Sequence, residues 1–219
     1  MAKLPLQIEI VSDIVCPWCV IGYLRLRRAL QNYADRLLPE IHWLPFELNP
    51  QMPTEGENLR EHLANKYGTT PQQSIEARQR LTDLGADVGF TFNYSDDMRM
   101  YNTFNAHQLL QWSKAYDRET ELSQRLFNDF FRERKNVGNI EVLADAAAAI
   151  GLDGQEAREV LKNQTYAGAV RELEKLITSQ GVSGVPLFIF NREYAISGAQ
   201  EVSTFEQQLQ QLLDETNPE

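Results

Sequence analysis

The stretch SDIVCPWCVIGY, residues 12–23, holds both cysteines of this 219-residue chain, with one proline and one tryptophan between them. Two thiols at that spacing support three chemistries: half of a tetrahedral zinc site, a structural disulfide, or a pair that cycles between dithiol and disulfide. A zinc site needs two more ligands. His42, His62 and His107 form no close pair and no second CxxC follows, so no metal is expected. Two buried, inert thiols remain an alternative, because free cysteine often serves as a small core residue.

The elements around the pair decide how it is presented. LQIEIV, residues 6–11, alternates apolar and polar side chains and reads as a strand. Ser12 and Asp13 mark a turn. Pro17 suits the first position of a helix, where its fixed φ fits and its missing N–H is not needed. Cys19, Tyr23, Leu26, Leu30, Tyr33 and Leu37 then recur at spacings of three and four, an apolar stripe that predicts a helix running to Pro39. IHWLPFEL, 41–48, reads as a second strand, with Pro45 placing it at a sheet edge or bending it. Helical patterns follow near 58–67, 71–86, 98–116, 119–134, 140–150 and 154–163, with GFTFNY, 89–94, as the one strand-like run among them. A helix at about 165–180 stops at Gly181. LFIF, 187–190, reads as a buried strand, YAISG as its hairpin partner, and about 200–214 as a closing helix.

Strand–helix–strand implies a right-handed crossover and a parallel pair, to which the late hairpin adds antiparallel strands. With the helical block set aside, this is the layout of a thioredoxin-like α/β fold: a mixed sheet flanked by helices, interrupted by a large all-helical insertion. The expected division is 1–56 with 164–219 for the thioredoxin-like domain and 57–163 for the insertion.

Composition narrows the partners. The 21 basic and 31 acidic side chains leave a net charge of −10, which disfavours nucleic acid and anionic membranes as partners. MAKLPLQIEIV contains no apolar run of signal-peptide length. No later segment approaches the roughly 18 apolar residues of a membrane span. The expected compartment is cytoplasmic, where a permanent disulfide is not the expected use of the pair.

Position then suggests roles. Cys16 lies where a strand gives way to a helix, and unpaired N–H groups at a helix start favour a thiolate there. Cys19 heads the buried stripe one turn later, placed to attack a mixed disulfide on Cys16. An exposed attacking sulfur and a shielded resolving sulfur are therefore expected. Pro17 stiffens the turn and Trp18 offers a flat apolar surface beside the sulfur. Asp13, three residues before Cys16, would oppose the thiolate if its carboxylate faced the sulfur.

CPWC after a first strand, joined with GVSGVPLFIF and YAISGAQ near the end, resembles the DsbA-like thioredoxin-fold oxidoreductases, and within them the FrnE-type cytoplasmic branch. The resemblance implies that Pro186 is cis and faces the cysteine pair. It also implies that the Val185 backbone pairs with an extended substrate segment. MYNTFNAHQLL, 100–110, is similar to the same branch and by that analogy places Asn102, Asn105 and His107 in a groove above the cysteines, with helix packing and local capping as the alternative.

The function expected is dithiol–disulfide exchange, with disulfide isomerisation as a further activity, on protein or small-molecule substrates. No cofactor is expected, since the redox equivalents sit on the chain's own sulfurs. A glutathione or thioredoxin system is the expected redox partner that resets the pair. Two rivals stand beside it. Relatives with this insertion include glutathione-dependent kappa-class transferases and 2-hydroxychromene-2-carboxylate isomerases, where Cys19 would have no obvious task. The third reading is a non-redox module that binds extended peptide on the apolar surface near Trp18.

Overall fold

The computed structural model describes residues 3–216. Its centre is a four-stranded mixed sheet of β1 (Leu4–Ser12), β2 (Leu37–Pro45), β5 (Leu187–Phe190) and β6 (Tyr194–Ser197), in the order β2-β1-β5-β6. β1 runs parallel to β2, with Leu4 opposite Leu37 and Ser12 opposite Pro45. β5 is antiparallel to both β1 and β6, with Ile10 opposite Phe188 and Phe188 opposite Ile196. The alternation read in β1 has a physical counterpart: Leu6, Ile8 and Ile10 are fully buried on one face.

Helix α1 (Pro17–Gln31) supplies the crossover between β1 and β2 and packs against α9 (Val202–Thr216). Gly22 lets α1 sit close on the sheet, because a Cβ there would lie 2.9 Å from the Phe188 ring and 3.3 Å from the Ala199 backbone. Phe188 in turn meets Phe205 of α9 edge-on at 5.0 Å.

The segment between β2 and the late hairpin carries β3 (Glu57–Asn58), α2 (Leu59–Tyr67), α3 (Pro71–Asp87), β4 (Arg99–Met100), α4 (Phe104–Ser113), a 3-10 turn at Lys114–Tyr116, α5 (Glu119–Phe131), α6 (Ile140–Ala149) and α7 (Gly154–Lys162). α8 (Ala167–Ser179) returns the chain to the sheet. α2 is capped by the Asn58 side chain, and α3 by a reciprocal Thr70–Gln73 box with Pro71 in its first turn. Trp43 of β2 ties this segment to the sheet. It packs on Tyr23 of α1 at 5.1 Å and on Phe127 of α5 at 5.9 Å, and its indole N–H donates to the Thr120 hydroxyl at 3.1 Å. No helix among the described residues is long and apolar enough to cross a membrane.

Four expectations are corrected. α1 ends at Gln31, not near Pro39; Leu37 and Pro39 belong to β2. The apolar spacing carried past the true end because Tyr33 and Leu37 are both buried although the chain has already turned, with Leu37 N–H donating to Tyr33 O at 2.9 Å. β2 tolerates two prolines because it pairs only with β1 and so forms a sheet edge. Residues 89–94 form no strand: Phe90, Phe92 and Tyr94 are there to pack around Phe131. The insertion is not all-helical, because β3 and β4 form a two-residue antiparallel ladder. The 98–116 helix shortens to α4 for the same reason, with Arg99 and Met100 drawn into that ladder.

Candidate active site

β1 ends at Ser12, and Cys16 takes the N-cap position of α1 with extended backbone angles, φ −95° and ψ 111°. Its own N–H donates to Asp13 O at 3.1 Å, closing the turn, and Cys19 N–H donates to Cys16 O at 3.1 Å. Pro17 opens the helix, so it removes no hydrogen bond the helix would have used. No side chain caps this end. Pro17 has no N–H and the Cys19 N–H is already bonded to Cys16 O, which leaves the Trp18 N–H as the open donor of the first turn.

Across the cleft, the Val185–Pro186 peptide is cis. The Val185 carbonyl accepts from the Cys16 thiol at 3.8 Å, joining two residues 169 positions apart. Pro186 is buried behind Val185, and its carbonyl is fixed by Gly198 N–H at 2.9 Å. The structure therefore brings the CPWC turn and the Val185–Pro186 loop face to face.

Both cysteines are free thiols. Cys19 is fully buried, and burial pushes its thiol well above the ordinary value. A hydrogen bond with Cys16 and the charge on that neighbour push the same way, and Ser12 and the Asp13 backbone pull against them. Cys16 departs from the expected exposed sulfur: only 3% of its surface is accessible. The insertion covers it. Cys16 forms the floor of a groove of about 460 Å³ whose walls include Pro17, Trp18, Leu59, Leu63, Arg78, Leu81, Tyr94, Gly184 and Val185. Trp18 stands at the rim, 36% exposed, with the Arg80 guanidinium 5.9 Å over its ring.

His107 is not in that wall. It is 2% exposed, with Nε2 3.3 Å from Asp13 Oδ1, while Asp13 Oδ2 accepts from Leu48 N–H at 2.8 Å. Both Asp13 oxygens are thus engaged inside the protein. Burial alone would lower the His107 pKa, but the hydrogen bond and charge of Asp13, with Glu174 and Glu47 adding, hold it above its ordinary value. Asn102 and Asn105 hydrogen-bond within the insertion and its approaches: Asn102 accepts from Phe104 N–H at 2.9 Å, and Asn105 donates to Gly138 O at 3.2 Å.

Residues not singled out in the sequence make up most of the groove. Tyr94, Arg78, Leu59, Leu63 and Leu81 all line it, as does His62. His62 is held by Glu57 at 2.7 Å and by Asn49 at 3.0 Å. The capping box at Thr70–Gln73 is a local signal for α3, but nothing local says that this helix closes over Cys16. No cluster of three or more His, Cys, Asp or Glu suited to a metal occurs among the described residues.

Comparison with known proteins agrees with this geometry. A model of the DSBA-like thioredoxin domain matches residues 7–210. The crystal structure of a probable DsbA oxidoreductase from Streptomyces coelicolor is 32% identical; it aligns over 98% of this chain and 92% of its own, with a TM-score of 0.90. The Bacillus subtilis protein YwbO, itself uncharacterized, is 26% identical over 201 residues, 91% of this chain and 94% of that protein. A 2-hydroxychromene-2-carboxylate isomerase structure, 14% identical, aligns over 96% of this chain and 97% of its own with a TM-score of 0.66, a likeness of fold alone. The mixed sheet with its inserted helices is the α/β thioredoxin-like fold of these structures. With a family model covering nearly its whole length, this chain belongs to the DSBA-like thioredoxin domain family.

Proposed function

We propose that the chain is a thiol–disulfide oxidoreductase working through Cys16 and Cys19. The observation that carries this reading is the Cys16 thiol 3.8 Å from the Val185 carbonyl, at the floor of a groove, with Cys19 buried one helical turn behind it. In the reductive direction the Cys16 thiolate attacks one sulfur of a substrate disulfide. A bond forms between Cys16 and that sulfur, and the second substrate sulfur leaves as a thiolate and takes a proton. Cys19, deprotonated in turn, attacks the Cys16 sulfur. The Cys16–Cys19 disulfide forms and the substrate leaves with both sulfurs reduced, having gained the two electrons the enzyme lost. Run backwards, the same steps oxidise a substrate dithiol, and attack by a substrate thiol on the mixed disulfide isomerises it.

Pro17 and Trp18 form the near wall for substrate. Val185 offers main chain to an extended segment, held in place by Pro186. His107 acts through Asp13 and the CPWC turn and not by touching substrate. The resemblance to the FrnE-type branch supports a cytoplasmic setting, with glutathione or a thioredoxin system returning the pair to its working state.

The test is turnover of insulin or a model disulfide. Cys16→Ser should abolish it, and Cys19→Ser should trap mixed disulfides on Cys16, visible as an added mass. Full turnover by Cys16→Ser would discard the reading. Glutathione conjugation surviving loss of both cysteines would favour the transferase or isomerase alternative. Failure to lose two hydrogens on mild oxidation would favour a non-redox binding module.

A further inference from the structure

Ser12 closes β1, and its hydroxyl is enclosed without a hydrogen-bond partner among the described residues. A buried hydroxyl left unpartnered is costly, and each such group in a folded chain asks for a reason. Its surroundings follow from the sheet register. Residues two apart on a strand share a face, so Ser12 points to the same side as Ile10. Ile10 stands directly opposite Phe188, which shares that face, and the Phe188 ring reaches α1 at Gly22. Ser12 therefore faces α1. Cys19 lies one turn before Gly22 on the same side of that helix, which sets it over the end of β1.

The Cys19 sulfur is sealed from water, so its thiolate can be stabilised only by donors that the chain supplies. Two groups favour the charged form, the Ser12 hydroxyl and the Asp13 N–H. Burial opposes it, and so do the hydrogen bond and the charge of Cys16. The two Cys16 effects last only while Cys16 is free. Once Cys16 is bonded to a substrate sulfur it carries neither charge nor proton, and the two donors remain. A neutral thiol sulfur is a weak acceptor, which explains why the Ser12 hydroxyl is idle in the dithiol.

We propose that Ser12 is a catalytic hydrogen-bond donor for the second step of exchange, its hydroxyl receiving the Cys19 thiolate together with the Asp13 N–H. In that step the deprotonated Cys19 sulfur bonds to the Cys16 sulfur and the bond from Cys16 to the substrate breaks. The electron pair leaves on the substrate sulfur, which takes up a proton in place of the one Cys19 lost; Ser12 keeps its own. The unpartnered oxygen is thus a group held ready for a charge that appears only during turnover. This deepens the oxidoreductase reading and rests on it.

The test separates the two steps. Reduced protein is mixed with excess 2-hydroxyethyl disulfide, quenched in acid at intervals and weighed, which distinguishes the dithiol, the mixed disulfide on Cys16 and the internal disulfide. In Ser12→Ala the mixed disulfide should form at the wild-type rate and then accumulate, its conversion slowed about tenfold or more by loss of a hydrogen bond to a charged sulfur. Stability to urea should hold or rise, because alanine removes an unpartnered oxygen. Ser12→Thr and Ser12→Val exchange only a hydroxyl for a methyl; Thr should resolve the mixed disulfide faster than Val, and this pair carries the test if Ser12→Ala does not fold. An unchanged second step, both steps slowed alike, or a marked loss of stability overturns the proposal and leaves the oxidoreductase reading intact. A wild type that forms neither the mixed nor the internal disulfide sinks both.

Discussion

Cys16 and Cys19 are three residues apart and chemically unequal. Cys19 is sealed, and burial together with its neighbour Cys16 holds its thiol well above the ordinary range. Cys16 sits at a helix start with a groove in front of it. The thiolate is the reactive form, so alkylation follows access and ionisation together. One equivalent of iodoacetamide near neutral pH should therefore modify Cys16 in preference to Cys19, by on the order of tenfold. Peptide mass mapping reads this directly, and labelling that favours Cys19 would reverse the assignment of roles. The low exposure of Cys16 adds a second expectation. Bulky maleimides should react with it more slowly, relative to iodoacetamide, than they do with a free thiol, because the reagent must enter between Trp18 and the insertion.

At the scale of elements, what holds the pair in place is the seat of α1 on the sheet. Gly22 is its contact point with Phe188, and Phe188 is wholly buried and wedged against Phe205, so it has little room to yield. Gly22→Ala should overpack this contact and cost about 1–3 kcal/mol. That corresponds to a fall in Tm of about 2–12 °C for a chain of this size. A thermal melt unchanged within error would show that the interface relaxes freely. Much of this framework was legible in sequence, because its signals are local. Pro17 marks a helix start, period-two alternation gives way to period-three-and-four spacing at CPWC, and LFIF reads as a buried strand. The end of α1 was misread because Tyr33 and Leu37 stay buried after the helix stops, and a spacing rule cannot distinguish a buried turn from another helical turn. The side of the groove built by the insertion was not legible. Leu59, Arg78 and Tyr94 come from three separated segments, and the burial of Cys16 depends on how α2 and α3 close over α1. His107 was noticed as a residue, but its partner Asp13 lies 94 positions away, and no local pattern encodes that pairing.

Across the whole molecule, one buried polar cluster joins the parts that must stay in register for the site to exist. Asp13 belongs to the turn before CPWC, His107 to α4 of the insertion, and Leu48 to the exit from β2. Glu47 beside it accepts from Arg171 of α8, which also donates to Glu174 at 2.8 Å. The Asp13–His107 pair is buried on both sides and so is costly to leave half-made, and it resists any shift of the insertion relative to the CPWC turn. Its pH dependence follows from His107. Burial opposes the charged imidazole, but Asp13, Glu174 and Glu47 outweigh it, and the folded pKa lies above the ordinary 6.5. A group whose folded pKa is raised binds its proton more tightly when folded. Its contribution is fully present below the unfolded pKa and is lost as pH rises through the folded one. Urea unfolding of the wild type and His107→Gln across pH 5–9 measures this. The wild type's stability advantage should be greatest below about pH 6.5 and shrink steadily above it. A constant difference across that range would show that the folded and unfolded chains bind the His107 proton equally tightly, so that the cluster holds the insertion by packing rather than by charge.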